Sequence, residues 1–319
     1  MNNLWYDSFI EALYKKYPKK SKLAEALMDL LSIEKESAYR RIRKDILFPV
    51  QELVKIASAW DISLDEIVGI NSRSIIFKLH LWNYLNPSEE ELNDMRTLVR
   101  WFETINDHHP DMEYMEISNR LPRMLTSGFP YVHRFHLLKW MYQYNNEQAL
   151  PFSRAIYTER MGKLSSAYYL AAKNVSSTNF IWNLMLFNYL VDDIRYFHSI
   201  FLVTDEEKEL IKKDLYALLD YMLEVAVKGC WPETGKKVNL YISYVNIDTN
   251  YGYYYSGGMK MCFVHAFGKN EICTVNPMMV EDFRTWMQSK KRSSVQISEA
   301  DEKSRIEFFM KQRKLVDTL

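Results

Sequence analysis

Between Ser21 and Gly69 the apolar positions come in short bursts with helical spacing, each closed by a turn signal. In SKLAEALMDLLS, Leu23, Ala24, Leu27, Leu30 and Leu31 fall on one face, and Ser21 stands where it can accept from the first free backbone N–H groups. IEKESAYRRIRKD repeats the period with a thinner seam. Ala38 and Ile42 lie four apart with Tyr39 beside them, leaving Lys35, Ser37, Arg40, Arg41 and Arg43 for the other faces. A helix with so little apolar surface and so many cations belongs on the outside of its domain. LFPVQELVKIASAWDIS follows, with Pro49 suited to a first helical position and Val50, Leu53, Val54, Ile56, Ala57 and Trp60 forming a broad apolar face. Ser63 caps a last short helix that Gly69 stops.

The polar break INSRSIIF, residues 70–77, divides the chain into domains of residues 1–72 and 75–319. Beyond it the helical period dominates in LVRWFETI, RFHLLKWMYQY, KLSSAYYLAAKN and EEKELIKKDLYALLDYMLEVAVKG. SSTNFIWNLMLFNYLVDDIRYFHSIFLV is apolar on several sides and predicts a helix or helix pair buried in a bundle, which Asp192, Asp193 and Arg195 keep from being a membrane span. After Pro232 the pattern changes to alternation in VNLYISYVNI, GYYYS, MKMCFVHAF and EICTV, which predicts an antiparallel sheet of about three or four strands. NPMMVEDFRTWMQSKKR, with Pro277 near its first position, and EADEKSRIEFFMKQRKLVDTL return to helix.

Composition narrows the classes. With 48% hydrophobic and 26% charged residues the 319-residue chain reads as globular, and its formal net charge of zero means that any polyanion contact must rest on local charge. The N-terminal pattern reads as an amphipathic helix and not as a secretion signal, and no apolar run approaches the length expected of a membrane span. Cys230, Cys262 and Cys273 are too few for a disulfide framework, so a reducing, cytoplasmic location is expected.

Residues 21–69 resemble the lambda-repressor-like helix-turn-helix domains of the Cro and XRE type, most closely the BetR-like variant of bacterial regulators. Leu23, Ala24 and Leu27 carry the likeness in the first helix, Ser37 to Ile42 in the second, Pro49 before the third, and the pattern Ala-x-x-x-x-Ile-Ser-Leu-Asp-Glu-Ile from Ala57 at its end. Two departures stand out: the segment from Leu31 to Ser37 is about one residue longer than the common turn, and Ser32 replaces the usual glycine. The resemblance implies a DNA-binding transcriptional regulator. Joined to the periodicity, it gives the expected fold class: mainly α, with a helix-turn-helix domain followed by a helical module that carries a small antiparallel sheet (α+β) near the C-terminus.

A recognition helix needs a thin apolar seam inward and a polar, basic face outward, which residues 34–44 supply. Arg40 and Arg41 can offer bidentate donors, Lys35 and Ser37 can reach base edges, Tyr39 can touch phosphate, and Arg43 and Lys44 lie at the backbone-contacting end. Lys20 and Lys22 flank Ser21 beside a helix start, where a phosphate is well received. The expected partners are double-stranded DNA, a second copy of the chain in a homodimer, and a small-molecule effector lodged between the tyrosine-rich strands and the helix near residues 180–201. No membrane partner, cofactor or metal is expected. His108 and His109 point to different sides, and the His133–His136 pair lacks a completing ligand. Cys262 and Cys273 can face each other across a hairpin but lie in apolar surroundings, so they read as core residues. No nucleophile-and-base spacing indicates an enzyme. A scaffold with a non-reading helix-turn-helix and an enzyme carrying a DNA-binding head are the alternatives.

Overall fold

Spaced apolar seams fold the start of the chain into α1 (Leu4–Lys16), α2 (Lys20–Leu31), α3 (Lys35–Ile42) and α4 (Val50–Trp60). The computed structural model describes residues 4–64, 67, 75–83, 87–144, 151–154, 158–268 and 270–319. It separates into two units, Met1–Ile76 and Phe77–Leu319. The first closes its own core around Tyr6, Phe9, Leu13, Leu23, Leu27, Ala38, Ile42, Phe48 and Ile56. Ser21 does not cap α2: the N-cap is Lys19, which makes no side-chain cap bond. Pro49 stands one residue earlier than expected, at the N-cap of α4. The broad apolar face of α4 is split, with Leu53 and Ile56 buried while Val50 and Val54 are exposed. Gly69 lies outside the described residues.

The second unit corrects the expected fold class. With 59% of the chain helical and 14% in strands, it is an α/β fold whose sheet is mixed and eight-stranded, in place of a mainly helical module with a small antiparallel sheet. The strands are β1 (Lys78–His80), β2 (Glu113–Ser118), β3 (Ser177–Asn183), β4 (Lys237–Ser243), β5 (Tyr251–Tyr255), β6 (Lys260–Ala266), β7 (Asn270–Thr274) and β8 (Val295–Gln296). Their order is β1-β7-β6-β5-β2-β3-β4-β8. The pairs β2·β3 and β3·β4 are parallel, with Glu116 opposite Phe180 and Phe180 opposite Leu240, while the other pairs are antiparallel. The alternating stretch after Pro232 thus supplies β4 through β7, but β4 runs parallel to β3 instead of joining a hairpin sheet.

Four strands were missed: β1 and β8 are edge strands of three and two residues, too short to show a period, while β2 and β3 are buried on both faces. In β2 and β3 nearly every residue is buried, which erases the alternation that marks a half-exposed strand. In β3 the confusion is deeper, because NFIWN runs without glycine or proline into α10 (Leu186–Ser199). One sheet face, carrying Tyr114, Phe180, Trp182, Leu240 and Phe263, packs under α5 (Glu89–Glu103), α6 (Ile105–His108), α7 (Arg123–Thr126), α8 (Pro130–Tyr144), α9 (Glu159–Ala171), α10, α11 (Asp205–Lys228) and, near the chain's end, α13 (Glu302–Asp317). The other face, with Met115, Ile117, Ile181 and Tyr253, is covered by α12 (Pro277–Arg292) through Val280, Phe283 and Met287. Gly252 is required where it stands: opposite Phe263, a Cβ there would lie 2.1 Å from the ring. Among the described residues no helix is long and apolar enough to cross a membrane.

Candidate nucleic-acid interface

Helix α3 is held to its unit by Ala38 and Ile42, both buried, and the rest of its surface is polar. The turn from α2 passes through Ser32 in the left-handed region, φ 55° and ψ 46°, the conformation for which glycine is best suited. Residues 33 and 34 then lead into α3, whose N-cap Glu34 makes no side-chain cap bond.

The ten candidate residues divide by what their side chains already hold. Arg41 is committed inward. Its Nε and Nη2 donate to the two oxygens of Glu52 on α4 at 2.7 and 2.8 Å, and Nη1 donates to Ser37 Oγ. The Arg41 side chain keeps only 11% of its exposure, and its guanidinium sits 5.8 Å from the Phe48 ring centroid. Ser37 is thereby spent on the same clamp. Below it, the Tyr6 hydroxyl accepts from the Phe48 backbone N–H and lies 3.3 Å from the carbonyl oxygens of Arg41 and Ile46. Burial pushes the Tyr6 phenol up to about 12. It stays protonated across the physiological range.

Lys22, Arg43 and Lys44 form surface ion pairs: Lys22 with Glu25 at 2.7 Å, Arg43 with Glu36 at 2.8 Å and Asp45 at 3.0 Å, and Lys44 with Asp7. Such pairs are exposed and contribute little to the fold, so a phosphate can replace the carboxylate. Ser21, Lys20, Lys35 and Arg40 are exposed, and among the described residues the three cations have no carboxylate partner. The Lys20 ammonium lies 5.8 Å from the ring of Tyr39, which is half-buried. Three further cations, Lys15, Lys16 and Lys19, are exposed at the end of α1 and the start of α2. They belong to the charge run KKYPKKSK, visible in the sequence, whose last two lysines, Lys20 and Lys22, are the expected phosphate contacts.

The histidine and cysteine candidates are dispersed by the fold. His133 is buried on α8, His109 bonds Ser256 Oγ at 3.1 Å, and no group of three metal-ligating side chains occurs among the described residues. Cys262 pairs in register with Thr274 and Cys273 with Phe263, so the two thiols lie on opposite sheet faces and do not meet. Burial raises both thiols above their ordinary values, Cys262 to about 11. No protein-family model, curated protein or solved structure matches the chain.

Proposed function

We propose that the protein is a DNA-binding transcriptional regulator that acts in the cytoplasm as a homodimer, with α3 in the major groove and the α/β unit serving as its effector module. The observation that carries this reading is the thin Ala38–Ile42 seam of α3, which leaves Lys35 and Arg40 exposed and, among the described residues, without carboxylate partners beside the cations at the start of α2. Arg40 is the base-reading candidate, while Lys20, Lys22, Arg43 and Lys44 are phosphate contacts. One such unit spans few base pairs, so two copies on half-sites about 34 Å apart supply selectivity. The exposed Leu47, Val50 and Val54 offer an apolar surface for that pairing.

The test is selection from random duplexes, followed by anisotropy titration over a range of salt. Arg40→Ala is expected to weaken the selected site by about 1 to 3 kcal/mol, and Lys20→Ala or Lys22→Ala to flatten the salt slope by about one. Titrations with no salt dependence, or an Arg40→Ala variant that binds as tightly as wild type, would remove α3 from DNA. The scaffold reading has one observation in its favour: Glu34 and Glu36 stand at the N-terminal end of α3, where they repel phosphate. It predicts dimerisation without any duplex binding.

A further inference from the structure

On the sheet face that α12 covers, a chamber of about 80 Å³ lies at the carboxyl ends of the parallel strands β2, β3 and β4. Crevices at such strand ends are where α/β sheets take ligands. Its floor is a row of register partners, Tyr251 beside Ile117 and Ile117 beside Ile181, with both isoleucines buried. Trp286 and Lys290, one turn apart on α12, form one wall. The β4–β5 loop forms the other through Val245, Ile247 and Asp248.

The loop is held in place by the sheet below it. Asn119 Nδ2 donates to the carbonyls of Ile247 and Asp248 at 3.0 and 2.8 Å, and Asn183 Nδ2 donates to Asn246 Oδ1 at 3.1 Å. Ser243 Oγ donates to the Val245 carbonyl at 2.9 Å. These bonds fix the loop backbone and leave the Asp248 side chain exposed. Among the described residues, the charged groups of the chamber are Asp248 and Lys290, and neither holds an ion pair with the other or with a third group. The Lys290 ammonium lies 5.6 Å from the Trp286 ring centroid, and that ring meets Tyr251 edge-on at 5.1 Å. One anion and one cation thus border a shared apolar floor without neutralising each other.

We propose that this chamber binds a small zwitterion, an α-amino acid with an apolar side chain, its ammonium held by Asp248, its carboxylate by Lys290 and its body set against Ile117, Ile181 and Trp286. A ligand with both charges satisfies both residues, whereas an acid alone is repelled by Asp248 and an amine alone by Lys290. A volume of about 80 Å³ takes on the order of five to eight water-sized groups, which fits an amino acid of valine's size and excludes a nucleotide. Binding at this site does not depend on the DNA reading, whereas its use as an effector site rests on it.

The experiment is calorimetric titration of the full chain, without DNA, with L-valine and with two compounds that each lack one of its charges. Isovalerate has no amine, and isobutylamine has no carboxylate. Valine saturates at millimolar concentration, and each analogue binds about fivefold more weakly or worse, the order expected of one exposed charge contact. Asp248→Asn weakens valine to the level of isovalerate but does not weaken isovalerate, and Lys290→Gln weakens valine to the level of isobutylamine but does not weaken isobutylamine. The ligand-free melting temperature is unchanged in both variants. No saturation by valine, either analogue binding as tightly as valine, or a variant that weakens valine and its matched analogue alike overturns the proposal. Anisotropy on duplex DNA with and without saturating valine reads the effector role separately, and an unchanged DNA affinity overturns that role alone.

Discussion

Replacing Arg41 by alanine separates a clamp from a reader of DNA. The side chain makes two parallel N–H···O bonds to Glu52 at 2.7 and 2.8 Å, with the two partners only 11% and 20% exposed. A fully exposed pair contributes about 0.2 to 1 kcal/mol, and breaking a fully buried one costs about 3 to 5. At this intermediate burial Arg41→Ala should destabilise the N-terminal unit by about 2 kcal/mol, with Glu52→Ala close behind. In the double variant the losses should fall short of additivity by about 1 kcal/mol or more. Arg41→Lys should recover little, because an ammonium cannot reproduce the fork. Hydrogen exchange read by mass spectrometry isolates the effect from the larger unit: a loss of about 2 kcal/mol lowers protection in α3 and α4 by about 30-fold. Unchanged protection in both helices, together with a DNA affinity that drops as in Arg40→Ala, would refute the clamp and make Arg41 a reader.

Ser32, at φ 55°, occupies a backbone region that favours glycine, so Ser32→Val should cost about 1 to 2 kcal/mol while Ser32→Gly should match or exceed wild type in urea unfolding. Gly252→Ala brings a Cβ within 2.1 Å of the Phe263 ring, and a loss of about 1 to 3 kcal/mol in the second unit is expected from the forced shift, with Phe263→Leu as the relieving partner in a melting-temperature comparison. Burial raises the Glu116 carboxyl above its usual 4.5, against the opposing pull of His265 and the hydrogen bonds from Tyr114 and Asn250. The folded state therefore binds the proton more tightly than the unfolded state, and this contribution is present at low pH. It is lost as pH climbs from about 4.5 through the raised value, so wild type should lose stability relative to Glu116→Gln over that interval. A difference between the two proteins that stays flat or grows with pH in urea unfolding would contradict the sign.

What the sequence disclosed follows from where its signals are local. The helices of the first unit were legible because Leu23, Leu27, Ala38 and Ile42 repeat at helical spacing, and β5 to β7 because each strand is bounded by turn residues. Strands β2 and β3 were hidden since both their faces are buried, and a run such as FIWN fits either period. The fate of Arg41 was equally hidden, because its partner lies 11 residues away on another helix. Pairing between Cys262 and Cys273 looked open until the β6·β7 register put them on opposite faces.

The sheet order sets a timetable for synthesis. Strand β1 completes its pairing only with β7, and β4 gains its outer neighbour only with β8, so the α/β unit cannot close until nearly its whole length has emerged from the ribosome. The core of the first unit, among the described residues, needs nothing beyond Ile67. At about 5 to 20 residues per second, the helices that carry Arg40 are complete on the order of 10 to 50 s before the sheet. During that interval each nascent chain presents a finished head on an unfinished body, still tethered beside its own message. Unpaired strand edges of the growing sheet are then the segments most exposed to mispairing between neighbouring chains on a polysome.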